Sequence, residues 1–467
     1  MGTAISVRDV SFAYDAAPEN TLENVSFDIS YGEFVLLCGM SGEGKSTLLS
    51  IISGVIPNIN HGKLSGSVFI DGKDVTALKI SERARLVGSV LQNADEQIVY
   101  DCAKDEIAFG LENLNTPNEE ITRRIAACCE LMQVDKNAGT RNMSGGQKQR
   151  LITASTLAMG QRIIILDEPL ANLDNRGAHI LLSALRELSK SGYAVLLVEH
   201  RFDVIKPYID KVMTIENKGV RLSEEISDTV VKTLPPVQGR EIGEVLIRLK
   251  RLSFSAGKRT ILDGIDFEVK KGERTVILGD NGCGKTTLLR TVSRLNKPSS
   301  GEFIQSIIRS RKASSEWFSK VGYVYQNPTY QLFMPTLLSE IAFRAKSPEK
   351  AQELIDSLGL LGLEKRHPQS LSEGQKRRAG IAAICAGEPE VLILDEPTVG
   401  QDFDNLKRIV DTVNKLNRET GCAVVTVTHD KRCIAALCDR AVIMSDGHIV
   451  KTGDLLAAYE YIQGRQK

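Results

Sequence analysis

The chain repeats one glycine-rich pattern, GMSGEGKS at 39–46 and GDNGCGKT at 279–286, and this repeat constrains its fold more than any other feature. Each copy follows an apolar run that reads as a buried strand, FVLLC (34–38) and TVIL (275–278), and each precedes a helical pattern, TLLSII (47–52) and TLLRTV (287–292). Strand, glycine loop and helix in that order form the context in which such a loop cradles phosphate. Other landmarks recur in the same order. Lys45 and Lys285 are 240 apart, Gln92 and Gln326 are 234 apart, Ser144 and Ser372 228, Glu168 and Glu396 228, and His200 and His429 229. A spacing this steady means duplication of a whole domain, with the second copy trimmed twice by six residues. The expected fold is α/β, with one domain over 1–222 and a second over 246–467. The stretch 223–245 contains Pro235, Pro236 and Gly239 and lacks a sustained apolar period, so it reads as a linker with a short edge element.

A chain of 467 residues has room for two such cores. Lys plus Arg and Asp plus Glu both number 59, so no excess of positive charge points to nucleic acid. The apolar runs are short, such as RIIIL (162–166) and AVLLV (194–198), far below the ~20 residues of a membrane span. No basic-then-apolar leader opens the sequence. The expectation is a protein that stays in the cytosol and reaches a membrane only through partners. The nine cysteines include no CxxC pair and read as reduced structural thiols. Cys283 differs in lying inside a phosphate loop, where alkylation would block nucleotide.

In each loop the glycines Gly39, Gly42 and Gly44, or Gly279, Gly282 and Gly284, let backbone N–H groups converge on phosphates at a helix start. Ser41 and Asn281 lie within the loops, and Thr47 and Thr287 follow them. Lys45 and Lys285 add positive charge to the phosphates, and Ser46 and Thr286 offer hydroxyls to Mg²⁺. The runs IIILDEP (163–169) and VLILDEP (391–397) end in paired acids. Asp167 and Asp395 suit the Mg²⁺ shell, with Glu168 and Glu396 placed to polarise an attacking water. Adjacent acids at a strand end are ordinarily just solvated; their position downstream of a phosphate loop favours the chemical reading. MSGGQ (143–147) and LSEGQ (371–375) open basic helices, so the amides around Ser144, Gly145, Gly146 and Gln147, and around Ser372, Gly374 and Gln375, form a second anion site. The plain alternative is serine as a helix N-cap. His200 and His429 follow apolar strands within reach of a γ-phosphate, and Gln92 and Gln326 are placed to bridge Mg²⁺, water and a moving subdomain.

Together these residues resemble the ATP-binding cassette family over nearly the entire chain. The resemblance implies an α/β core, an antiparallel β subdomain and a helical subdomain bearing MSGGQ or LSEGQ. It also implies two cassettes that clamp two ATPs head to tail, hydrolysing them with Mg²⁺. By position, Gln92 and Gln326 become the Q-loop residues, ANLD (171–174) and VGQD (399–402) the D-loops, His200 and His429 the switch histidines, and Tyr14 the aromatic that stacks on adenine. The stretches QNADEQIVYDCAKDEIAFGLENL (92–114) and QNPTYQLFMPTLLSEIAF (326–343) are similar to ATPase subunits of energy-coupling-factor importers of vitamins or metal ions. That implies a prokaryotic protein on the cytoplasmic face of the membrane, partnered by a transmembrane coupling protein and a substrate-capture membrane protein.

The second copy departs from the first in having Ala256 where Tyr14 is expected, Glu373 in place of Gly145, and nothing matching GLENL (110–114). Unequal ATP sites are therefore expected. Rival readings are a twin-cassette protein acting on ribosomes or DNA and a fused sugar-importer ATPase. The short proline-containing connection and the cysteine spacings speak against the first, and the intact GDNGCGKT against the second. A last expectation concerns Asp95, Glu96, Asp105 and Glu106, with Glu340 matching Glu106. Beside Ile98, Val99, Leu332 and Phe333 they read as an acidic, partly apolar groove for an arginine-bearing helix of the coupling protein.

Overall fold

The computed structural model describes residues 2–15, 19–39, 42–171, 173, 175–199, 201–223, 233–257, 259–309 and 313–462. Among the expected site residues, Ser41, His200 and the D-loop residues Asn172 and Asp174 lie outside that set. The chain divides into two compact units, Met1–Val231 and Lys232–Lys467. In the first, the apolar runs become a six-stranded sheet in the order Gly219–Ser223, Lys211–Glu216, Phe34–Cys38, Ala194–Val198, Ile163–Asp167, Val87–Val90. Pairings are parallel except for the outermost, Gly219–Ser223 with Lys211–Glu216. The second unit repeats the order with His448–Gly453, Arg440–Ser445, Arg274–Gly279, Ala423–Val427, Val391–Asp395 and Val321–Val324.

Strands covered on both faces must be apolar throughout, which is why these runs do not alternate. Phe34, Leu36, Ile164 and Leu166 point into a core shared with helices. Val35, Leu37, Ile163 and Ile165 point into a second core beneath an antiparallel sheet. That sheet pairs Thr3–Tyr14 with Leu22–Ser30 on one side and Gly62–Ile70 on the other. Its counterpart pairs Val245–Ala256 with Arg259–Lys270 and Ser300–Gln305. Each long strand carries a bulge, at Asp9 (φ 47°) and at Arg251 (φ 44°).

The helical layer shows where one trim falls. Ala103–Asn113 and Asn118–Leu131 of the first unit are matched by the shorter Leu337–Ala342 and Pro348–Ser357. Residues past 232 that read as linker pack on the second unit: Leu234 is buried in its core, and the Val237 carbonyl accepts from Arg274 Nη2 at 2.8 Å. Among the described residues no helix is long and apolar enough to cross a membrane. The nine cysteines are unbridged.

Candidate functional site

At the C-terminal ends of the parallel strands the loops turn into helices Lys45–Ser53 and Lys285–Val292. Gly44 (φ 97°) and Gly284 (φ 105°) make that turn in the left-handed region, and a Cβ at either would stand 2.9 Å from a leucine methyl, of Leu22 or Leu262. Lys45 folds back on its loop, Nζ donating to the Gly39 carbonyl at 2.9 Å. Lys285 does the same to Gly279 at 2.7 Å and to Asp280 at 2.9 Å. Both ammonium groups therefore lie at the loop's centre, where phosphate oxygens would replace the carbonyls. Cys283 is buried, and burial pushes its thiol up against the opposing pull of Lys285.

The acid pairs close the site. In the second unit Thr286 Oγ1 donates to Asp395 Oδ1 at 3.1 Å, and the Tyr323 hydroxyl donates to Oδ2 at 3.0 Å. Burial, then the charge of Glu396, raises the Asp395 carboxyl to about 6, the two hydroxyl bonds pulling the other way. Glu168 and Glu396 both adopt left-handed backbone, φ 48° and 51°, with their N–H groups donating to the Val198 and Val427 carbonyls at 2.9 and 3.0 Å. A non-glycine residue in that region is a strained feature repeated at both glutamates. Gln92 Nε2 donates to Glu168 Oε2 at 3.0 Å, and His429 Nε2 stands 3.4 Å from Glu396 Oε1. So glutamine meets glutamate in one unit and histidine meets glutamate in the other. The Gln326 carbonyl accepts from Arg377 at 3.0 Å, and the same guanidinium holds the Val399 carbonyl, tying the helical layer to the loop after the acids.

Hydroxyl and carboxylate oxygens side by side, without a cluster of three or more His, Cys, Asp or Glu among the described residues, form a donor set for a hard cation that takes its other ligands from water and substrate phosphate. Ser46 and Asp167 occupy the same places in the first unit, and the site suits Mg²⁺.

Ser144 and Ser372 realise the N-cap reading. Each hydroxyl accepts from the N–H of Gln147 or Gln375 at 3.3 Å, while each glutamine side chain accepts from the serine N–H, at 2.9 and 3.0 Å. Gly145 and Gly146 open the first of these helices, and Glu373 and Gly374 the second. Glu373 pairs with Lys376 at 2.8 Å. In the first unit Lys148 finds its acid elsewhere, in Asp95 of the loop after Gln92. The Tyr14 ring packs edge-on against Phe12 at 4.8 Å, its hydroxyl 3.0 Å from Thr47 Oγ1. Ala256 ends the matching strand.

The groove expectation needs correction. Glu106 and Glu340 are buried, and their carboxylates are committed to the chain itself: Glu106 Oε2 accepts from the Val99 and Tyr100 amides at 2.8 Å, and Glu340 Oε2 from Phe333 and Met334 at 2.7 Å. They shape the loop rather than face an arginine. Leu332 is buried too, while Val99 and Phe333 are about two-thirds exposed (66% and 68%). Other residues of the site were missed in the sequence. Glu199 is buried and accepts from the Leu170 N–H at 2.6 Å, and the side chains of Gln97 and Gln331 accept from Leu91 at 2.8 Å and Tyr325 at 3.1 Å, holding the loops in shape. Only the repeat of Gln97 in Gln331 hinted at this.

The model of the ABC transporter family matches residues 22–171 and again 262–399. The chain belongs to that family. As an ABC ATPase it has two cassettes, and it hydrolyses ATP. Among curated relatives, the Bacillus subtilis protein named "Putative HMP/thiamine import ATP-binding protein YkoD" is 32% identical over 95% of this chain and 90% of its own length. A Methanosarcina mazei protein named "Putative ABC transporter ATP-binding protein" is 32% identical over 97% of this chain and 89% of that one. Among solved structures, an archaeal ribosome recycling factor in complex with a ribosomal stalk protein shares the fold at TM-score 0.68 and 22% identity, covering 98% of this chain and 92% of that one. At that identity the likeness extends to the fold alone.

Proposed function

We propose that this ABC ATPase energises an importer. Its two cassettes clamp two ATPs, and a transmembrane coupling protein docks beside the loops that follow Gln92 and Gln326. One observation carries the reading. Each cassette exposes apolar side chains at the same place, Val99 and Phe109 in the first and Phe333 and Phe343 in the second, with Tyr330 (74% exposed) added in the second. A matched pair of such patches beside the γ-phosphate side of each site suits two apolar helices of one partner. The import ATPase among the relatives supports the same reading.

Within each cassette the geometry supports the following roles. Loop amides and Lys45 or Lys285 hold the phosphates. Ser46 with Asp167, and Thr286 with Asp395, hold Mg²⁺, which supplies charge neutralisation when bound. Glu168 and Glu396 accept a proton from the attacking water, oriented by Gln92 and by His429, with His200 as the matching residue of the first cassette. Ser144 with Gly145 and Gly146, and Ser372 with Gly374, present helix N-terminal amides to the nucleotide of the opposite cassette. Tyr14 stacks on adenine.

The test is copurification from membranes of the native host. Val99→Ser combined with Phe333→Ser is expected to release integral membrane proteins that travel with the parent chain, while ATPase activity of the isolated chain stays within about two-fold, as for surface changes away from the chemistry. Copurification of the parent with ribosomes or DNA and no membrane protein would refute the importer reading.

A further inference from the structure

Strands Val87–Val90 and Val321–Val324 occupy the same edge of their sheets and pair in the same register with the strand that ends in the aspartate. At the third position of this strand the first cassette has Ser89 and the second has Tyr323. Tyr323 is buried, and its hydroxyl donates to Asp395 Oδ2 at 3.0 Å while Thr286 holds Oδ1 at 3.1 Å. Each oxygen of one carboxylate thereby has its own hydroxyl donor. One neighbour steadies the tyrosine. Tyr325 packs against its ring edge-on, with centroids 4.8 Å apart and planes at 62°. The matching residue of the first cassette is Leu91. Two nearby positions in contact with each other thus differ together. A serine hydroxyl on the edge strand is too short to reach across the ~4.8 Å to the next strand and on to its terminal carboxylate.

We propose that Tyr323, steadied by Tyr325, is a positioning residue that sets the Asp395 carboxylate for magnesium in the second cassette, a device the first cassette replaces with Ser89. A ligand whose orientation is fixed before the metal arrives loses less freedom on binding. Partners that orient a ligating carboxylate are typically worth 10–100-fold in metal affinity. The inference rests on the magnesium assignment made under the proposed function.

The experiment uses the full chain carrying Lys45→Ala, so that binding is read at the second cassette. A fluorescent non-hydrolysable ATP analogue is titrated with magnesium and with EDTA, and the ratio of the two affinities is the magnesium-dependent gain. Tyr323→Phe removes one hydroxyl and keeps the packed ring. It is expected to cut the gain on the order of ten-fold while leaving the EDTA affinity unchanged. An unchanged gain in Tyr323→Phe would overturn the inference, as would an equal loss of affinity with and without magnesium, which marks mere packing. Absence of any gain in the parent would overturn the magnesium assignment first, and this inference with it.

Discussion

Glu168 and Glu396 show which residues a sequence can reveal. Each follows an apolar strand and an aspartate, and each is turned by a left-handed backbone so that its N–H closes on the neighbouring strand while its carboxylate meets Gln92 or His429. Motifs of this kind are legible because a tight turn or a phosphate cradle tolerates few residue types, and Gly44 and Gly284 are legible for the same reason. Glu106 and Glu340 were not legible in that way. Whether a carboxylate faces solvent or turns inward to accept two amides depends on the path of the loop, which no local pattern encodes. Tyr323 was hidden likewise, since a tyrosine in an apolar strand reads as core until its hydroxyl is found on Asp395. At this scale the expectation is that Glu168→Gln with Glu396→Gln retains ATP binding and lowers turnover ~10²–10⁴-fold, the usual worth of a positioned general base. Phosphate release measured beside nucleotide retention checks it, and near-normal release would remove both glutamates from the chemistry.

At the scale of elements, the parallel core and antiparallel layer follow from runs without alternation set against runs with it. The stitching between elements does not. Arg274 opens strand Arg274–Gly279 and is buried. Its guanidinium meets Asp439 at 2.6 Å, Asn414 of helix Phe403–Thr420 at 2.8 Å, the Ala436 carbonyl at 3.0 Å and the Val237 carbonyl at 2.8 Å. One side chain thus joins a strand, two helices and the segment leading into the second cassette. Arg274→Ala leaves these acceptors unanswered in a low-dielectric site, a loss of about 3–5 kcal/mol for a buried pair broken on one side. The thermal transition of the second cassette should fall by roughly 10 °C, while that of the first stays in place. Differential scanning calorimetry separates the two, and a shift common to both transitions would count against the assignment.

For the whole molecule, the duplication was legible in five spacings and the inequality of the copies in a few letters, Tyr14 against Ala256 and Gly145 against Glu373. Tyr14 is set beside Thr47 at the start of the phosphate-loop helix, and no aromatic ends the matching strand of the second cassette. Tyr14→Ala should weaken nucleotide binding about five-fold, the equivalent of ~1 kcal/mol of stacking. Photocrosslinking of labelled azido-ATP, followed by peptide mapping, should find that loss in the first cassette only; equal loss in both would contradict it.

The lysine of the signature helix adds a different consequence. Lys148 takes its acid from the loop after Gln92, whereas Lys376 carries its own in Glu373. The pair survives in both halves, but its negative member has moved from one element to another. A chimera that exchanged helix Gly145–Ala158 with Glu373–Cys385 would crowd two acids around one lysine in the first half. In the second half Thr329 would face a lysine with no acid at either place. Copies that began as the same part have thus become parts that no longer fit each other's sockets, and any reconstruction of their common ancestor has to choose which of the two acids came first.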